Sequence, residues 1–475
     1  MSDLARKGRV GDLTEGQPAA SALRFAGCDL GVQVAADAVR QAIAGGASDA
    51  ECTISEGDEF EVSIRMREVE NLKEAGSRGM GIRVLAGQRT GSAYTSDLSR
   101  AGVGTMVRKA LELAKFTGED PHAGLPEPAD LGSIGGDLGL FDPAIESMET
   151  EFKIDQARRA EEAALAFDPR IENSKGASFE SFLGTRVFAN SRGFAGSYRT
   201  SSCGLAVQPV ARQNGSTERD YWYTSARSAS RMESAEYVGR TASERALRRL
   251  NPRRVPTQRA VIVFEPRTAR SLLGDLFDTV SGSSIYRRAS FLADKLGEKV
   301  ASENLTVIDD STIPGLFGSS PFDDEGVRTR RTVVIERGVL RSYLLNTYTA
   351  RKLDLKTTGN ASRGITGNAG VGPGNFFIEA GASDPARILA GIRSGLYVTE
   401  LIGASANPVN GDYSAGAAGL WIENGELGYP VSEITIAGNL KQMLMDLEQI
   451  GNDLEFRSSI AAPTILIREM TISGQ

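Results

Sequence analysis

The stretch VIVFEPRTARSLLGDLFDTVSG, residues 261 to 282, holds a carboxylate where many hydrolases keep a general base. Val261 to Val263 have the apolar character of a buried strand, and Pro266 suits the first turn of a helix. Ala269, Leu272, Leu273, Leu276, Phe277 and Val280 then recur at helical spacing. Glu265 therefore stands at a strand-to-helix junction. A glutamate in that place, flanked by two histidines on a metal, is the base of a metallohydrolase. Here Phe264 precedes the glutamate and no histidine follows it. The whole chain has one histidine, His122, and three scattered cysteines, Cys28, Cys52 and Cys203. A catalytic zinc normally takes three protein ligands, mostly His with some Cys or carboxylate. Zinc hydrolysis by this chain alone is thus disfavoured, and a structural role is expected for Glu265, beside the positive end of its helix.

The other chemistry-bearing residues read more blandly. His122 lies in the Pro/Gly/Asp-rich run TGEDPHAGLPEPADLG with no neighbour to orient it, as a loop histidine facing solvent. Asp309, Asp310, Asp323, Asp324 and Glu325 offer carboxylate pairs for metal-free hydrolysis, but acidic pairs in loops are usually solvated turn residues. Arg248, Arg249, Arg253 and Arg254 cluster at a helix end, where they complement its dipole. TTGNASRGITGNAGVGPGNFFIEAG is a long glycine-rich segment without the Gly-Lys-Ser/Thr ending of a phosphate loop. It ends in a short strand at Asn375, Phe376, Phe377 and Ile378, taken as a candidate edge for an extended peptide or for an interface.

These residues must be positioned by an α+β fold. At 475 residues the chain exceeds one growing core. Glycine, 53 residues or about 11% against a usual ~7%, favours many tight turns and a strand-rich part. Residues 1 to 30 form a polar N-terminal segment. Residues 31 to 240 read as an N-terminal α+β domain with antiparallel strands, in two helix-plus-meander units joined by a connector at about 117 to 132. Residues 250 to 475 read as a strand-rich C-terminal domain, barrel-like or sandwich-like, with hairpins turning at Arg337-Gly338 and Asn424-Gly425. A net charge of -7 argues against broad phosphate-backbone binding, so no nucleic acid is expected. No apolar run reaches the length of a membrane span, and the few odd cysteines fit a reducing, cytoplasmic setting.

Five long segments carry a family resemblance: SGSSIYRRASFLADKLG from 281, PFDDEGVRTRRTVVIERGVL from 321, YTARKLDLKTTGNA from 348, NGDYSAGAAGLWIENGELGYPVSEITIAGNL from 410, and IGNDLEFRSSI from 450. In that order they resemble the TldD/PmbA family, and within it the PmbA (TldE) branch. Weaker matches at VENLKEAGSRGMGIRV, GEDPHAG and ERDYWYT extend the resemblance from about residue 35 onward. In metal-binding TldD-type members the segment matching 264 to 270 reads HExxxH, with a Cys ligand near the C-terminus. This chain keeps Glu265, but Phe264 replaces the first His, and Thr268, Ala269 and Arg270 supply no second one. After Gly451-Asn452-Asp453-Leu454 it runs EFRSSIAAPTILI, without the cysteine.

The resemblance implies a metal-free subunit of a TldD/TldE-type heterodimeric metallopeptidase, inactive alone. Zinc would sit in the TldD-type partner, none in this chain, and the substrate would be an unfolded peptide in a channel that this subunit helps to close. The competing expectation is a binding protein or regulator without protease activity, in the sense of the family's older label as modulator of DNA gyrase.

Overall fold

The computed structural model describes residues 28–474, so the expected polar segment lies outside the described residues up to residue 27. The first half runs α1 (Cys28–Ala44), β1 (Asp49–Arg65), β2 (Glu68–Ala86), β3 (Arg89–Thr95), α2 (Arg100–Ala114), α3 (Pro143–Glu146), α4 (Thr150–Leu165), β4 (Ile171–Asn190), β5 (Ala195–Gln213), β6 (Ser216–Arg219), β7 (Trp222–Ala226) and α5 (Ala235–Leu247). Helix followed by meander occurs twice, but the two meanders form one sheet. Strands β1 and β4 pair antiparallel over Glu51–Ile64, giving the order β3-β2-β1-β4-β5-β6, with β7 also on β5.

Strand periodicity explains this sheet. Along β1, Ala50, Cys52 and Ile54 point one way into a cluster with α1 and α2, and Phe60, Val62 and Ile64 point the same way into a second cluster with α4 and α5. Four helices thus back one face. The intervening residues Glu51, Thr53, Ser55, Gly57, Glu59 and Glu61 face the opposite way.

The second half runs β8 (Gln258–Phe264), α6 (Pro266–Val280), β9 (Val307–Asp310), β10 (Arg331–Glu336), β11 (Val339–Leu340), β12 (Ala361–Ser362), β13 (Gly370–Val371), β14 (Phe376–Ile378), β15 (Ser394–Ala406), β16 (Asp412–Glu423), β17 (Glu426–Asn439), β18 (Leu447–Ile450), β19 (Ile460–Ala461) and β20 (Ile465–Ser473), with short helices between some of them. Strands β17, β16, β15, β8 and β20 pair in sequence, and β17 also pairs with β20. A five-stranded barrel is thereby closed, with β18 appended to β20. Beside it lies a mixed five-stranded sheet, β11-β10-β9-β14-β19. The expected α+β class with a barrel-like C-terminal part is what the molecule has. Arg337 and Gly338 (φ 46° and 80°) and Asn424 and Gly425 (φ 51° and 88°) turn the two expected hairpins with the positive φ pairs that match strand twist.

The glycine-rich segment is not a free loop. Its β12–β13 hairpin reaches the open face of the N-terminal sheet, where the Ile365 carbonyl lies against Gly81 and Arg363 inserts between Glu51 and Thr53. The connector after α2 packs on the second half as well: Arg351 donates to the carbonyls of His122 and Leu125. No helix among the described residues is long and apolar enough to cross a membrane.

Candidate functional site

Strand β8 delivers Glu265 to the N-cap of α6, as its sequence requires: Val261 to Phe264 are strand and Pro266 occupies the first helical turn. The side chain does not cap the helix. It is 4% exposed and turned into a set of guanidiniums. Arg245 of α5 grips both carboxylate oxygens, Nη2 to Oε1 at 2.7 Å and Nη1 to Oε2 at 3.1 Å. Arg267 Nε donates to Oε1 at 3.1 Å, and Arg248 Nη2 lies 3.6 Å from Oε2. Asp220, also buried, balances the cluster: Arg245 Nε is 3.2 Å and Arg267 Nη2 3.4 Å from its carboxylate. Trp222 and Tyr221 wall the site, with Arg267 lying 4.4 Å over the Tyr221 ring.

Three guanidiniums thus meet two carboxylates, leaving one positive charge in excess. Burial and the neighbouring Arg245 charge push Arg248 below the ordinary arginine range. Arg245 is held above it: burial opposes its charge, but the carboxylates of Glu265 and Asp220 outweigh burial. A carboxylate gripped bidentately and touched by further guanidiniums is an ion-pair anchor. Both of its oxygens are already engaged by guanidiniums. The cluster joins the two halves of the molecule, since Arg245 and Asp220 come from the first and Glu265 and Arg267 from the second.

The residues around Glu265 do not fit a metal. Phe264 and Ala269, which flank Glu265 on the strand and helix sides, are fully buried in the apolar cluster that α6 forms with the barrel. The nearest polar groups are cationic. In the C-terminal segment Asp453 accepts bonds from the Thr464 amide and hydroxyl at 2.9 and 2.7 Å, tying its own loop together. Among the described residues no three His, Cys, Asp or Glu side chains converge as a metal site. His122 sits half-buried against Tyr348, with ring centroids 6.5 Å apart, rather than in solvent.

The other candidates are placed differently from expectation. Phe376–Ile378 is no open edge: β14 pairs antiparallel with β9 on one side and parallel with β19 on the other. Asn375 and Phe376 are fully buried, and the Asn375 amide holds Ser319 and the Asp310 carbonyl. Strand pairing hides the backbone that a peptide would use. The carboxylates expected in solvated turns are also mostly buried, with Asp309, Asp310, Asp323 and Glu325 all below 8% exposure. Each accepts protein hydrogen bonds, for example Asp323 from the amides of Glu325, Val327 and Ala361. Burial lifts Asp309 to about 7, although Asn360 and Gly374 donate to it. Asp323 and Glu325 are raised as well, again chiefly by burial. Arg249 and Arg254 pair with Glu400 and Glu433 of the barrel instead of only meeting solvent.

The arginine cluster was missed by sequence reasoning. Only Arg248 stood out in the sequence, as one of four arginines at a helix end, and only the fold brings it together with Arg245 and Arg267 at Glu265. A buried-polar position such as Asp220 gave no signal, because the alternation of a short strand does not reveal what a following turn residue faces.

The molecule is an α+β protein in which a helix-backed antiparallel sheet is joined to a closed five-stranded barrel, with a buried glutamate at a barrel-strand-to-helix junction. Its three parts match the descriptions PmbA/TldA metallopeptidase domain 1 at residues 50–114, central domain at 143–250 and C-terminal domain at 257–474. The chain is 42% identical over 434 residues to Metalloprotease PmbA of Escherichia coli O157:H7, spanning 91% of this chain and 94% of that one. It is 36% identical over 443 residues to a PmbA homologue of Haemophilus influenzae, spanning 93% and 96%. The chain belongs to the PmbA/TldD metallopeptidase family. Among solved structures, a putative modulator of DNA gyrase from Bacteroides thetaiotaomicron superposes with a TM-score of 0.87 at 28% identity, over 94% of this chain and 99% of that one. TldE of Thermococcus kodakarensis shares the fold at a TM-score of 0.84 and 22% identity, over 93% and 100%.

Proposed function

We propose that this chain is the metal-free subunit of a TldD/TldE-type heterodimeric peptidase. A TldD-type partner carries the zinc and its bound water, and this subunit completes the enclosure around an unfolded peptide and supports the partner. One observation carries the reading. Phe264 and Ala269 are packed into the core while Glu265 is held by three arginines. A site that has lost its ligands and locked its base supplies no hydrolysis of its own, so the family's peptidase chemistry comes from elsewhere. Co-expression with a TldD-type protein, followed by native mass and zinc analysis, is the test. The expected result is one zinc per heterodimer and none in this chain alone. Chelator-sensitive peptide cleavage by the isolated chain would overturn the proposal. The competing reading is a binding role without proteolysis, favoured only by the gyrase-modulator description of the similar solved proteins. Capture of gyrase by this chain without a TldD-type protein would establish it instead.

A further inference from the structure

The face of the N-terminal sheet opposite its helices is covered only in part. The β12–β13 hairpin covers Glu51 and Thr53, the 322–324 segment covers Arg186 and Tyr198, and an open groove remains around Glu180. Two adjoining cavities, about 240 and 330 Å³, lie there and share Glu180, Gly204 and Ser225.

The side chains along this groove are unusual for a sheet surface. Glu61 and Glu180 are direct partners in the β1–β4 register, so two like charges stand opposite each other on one face. Such a pair is destabilising. Lys73 stands opposite Glu61 on β2 and lines the same cavity, but its ammonium goes to Glu59 at 3.5 Å, so three carboxylates share one cation at this end. Burial, then Glu61, raises the Glu180 carboxyl above the ordinary range. Across the groove stands Arg270 of α6, half-buried, whose bonds go to the Tyr223 hydroxyl at 3.0 Å and the Ser458 hydroxyl at 3.4 Å. No carboxylate lies within ion-pair distance of Arg270 among the described residues, whereas Arg457 beside it is neutralised by Glu233 and Glu455. Between the two ends the floor is low: Gly204 and Ala206 carry little or no side chain.

We infer that this groove binds a short zwitterionic peptide of about three residues, its ammonium on Glu61 and Glu180 and its carboxylate on Arg270. The unpaired charges are complementary to such a ligand and to each other only through it. The span agrees. Two strand spacings of about 4.8 Å separate Glu180 on β4 from Tyr223 on β7, whose hydroxyl meets Arg270, so Glu180 and Arg270 are on the order of 10 Å apart. An extended tripeptide at about 3.4 Å per residue covers the same distance. The inference rests on the peptide-handling reading above and assigns to this subunit the place where a peptide end or a cleavage product is held.

Titration calorimetry of the full chain with trialanine, N-acetyl-trialanine and trialanine amide tests it. The free peptide is expected to bind, and each capped form to bind at least about tenfold more weakly. Glu180→Gln should abolish the discrimination against the acetylated form, and Arg270→Gln the discrimination against the amide. Thermal melting keeps the variants interpretable, because relief of the Glu61–Glu180 repulsion should leave Glu180→Gln at least as stable as the parent. Equal binding of free and capped peptides, or no saturable binding of trialanine, overturns the inference. Neither result changes the zinc content or mass of the heterodimer, so failure here is distinguishable from failure of the proposed function.

Discussion

Replacing Glu265 by alanine separates a structural anchor from a catalytic remnant. The carboxylate is 4% exposed and Arg245, its bidentate partner, 7%. Removal leaves Arg245, Arg248 and Arg267 facing Asp220 alone, so the cluster's excess of positive charge rises from one to two. Breaking one side of a buried pair costs about 3–5 kcal/mol, mostly the penalty of the charge left behind. With a urea slope of about 3 kcal/mol per M for a unit this size, the midpoint of the transition that unfolds the barrel should fall by more than about 1 M. Glu265→Gln should lose nearly as much, since an amide keeps the shape and forfeits the charge. Arg248→Gln is the control: it removes the excess positive charge and should change stability by less than about 1 kcal/mol. Urea unfolding of the isolated chain, paired with peptidase activity per folded heterodimer, reads both roles. A variant with unchanged stability and abolished activity would refute the structural assignment and make Glu265 part of the chemistry.

Other outcomes follow from the buried carboxylates and the domain contact. Asp309 has a folded pKa of about 7 against an ordinary 3.8, so the native state holds its proton more tightly than the unfolded chain does. That contribution is fully present below the unfolded value and is lost as pH rises through about 7, a change of roughly 4 kcal/mol. Asp309→Asn, which mimics the protonated acid, should flatten this part of the stability profile between pH 4 and 8 in denaturant titrations. Gly81→Ala would place a methyl carbon 1.5 Å from the Ile365 carbonyl oxygen, so the β12–β13 hairpin must lift from the sheet and release Arg363 from Glu51. A loss of roughly 3 kcal/mol or more and faster limited proteolysis within 361–371 are expected. Gly364→Ala, in open space, should leave both unchanged.

Much of the fold was legible because its signals are local. The alternation in β1, the helical stripe of α6 and the Asn424-Gly425 turn depend on neighbours in sequence, and the elements stand where those patterns place them. The scarcity of imidazole and thiol groups was equally legible, because it is a matter of inventory. Merging of two meanders into one sheet was not: β1 and β4 are separated by two strands, three helices and a long connector, and their pairing is set by the shared helix-facing surface. Nor could the sequence say that Asp323 and Glu325 are buried, since a turn residue's exposure depends on what the chain lays over it.

What the sequence by itself determined is which groups exist and which short segments form strand or helix, because composition and periodicity belong to single stretches of chain. What only the tertiary structure decided is who meets whom. Glu265 is answered by arginines from α5 and α6, the glycine-rich segment is docked rather than free, and Glu61, Glu180 and Arg270 face one groove without ion-pair partners among the described residues. Charges interact over a few ångströms in space, and that distance is fixed by packing between residues as far as 312 positions apart.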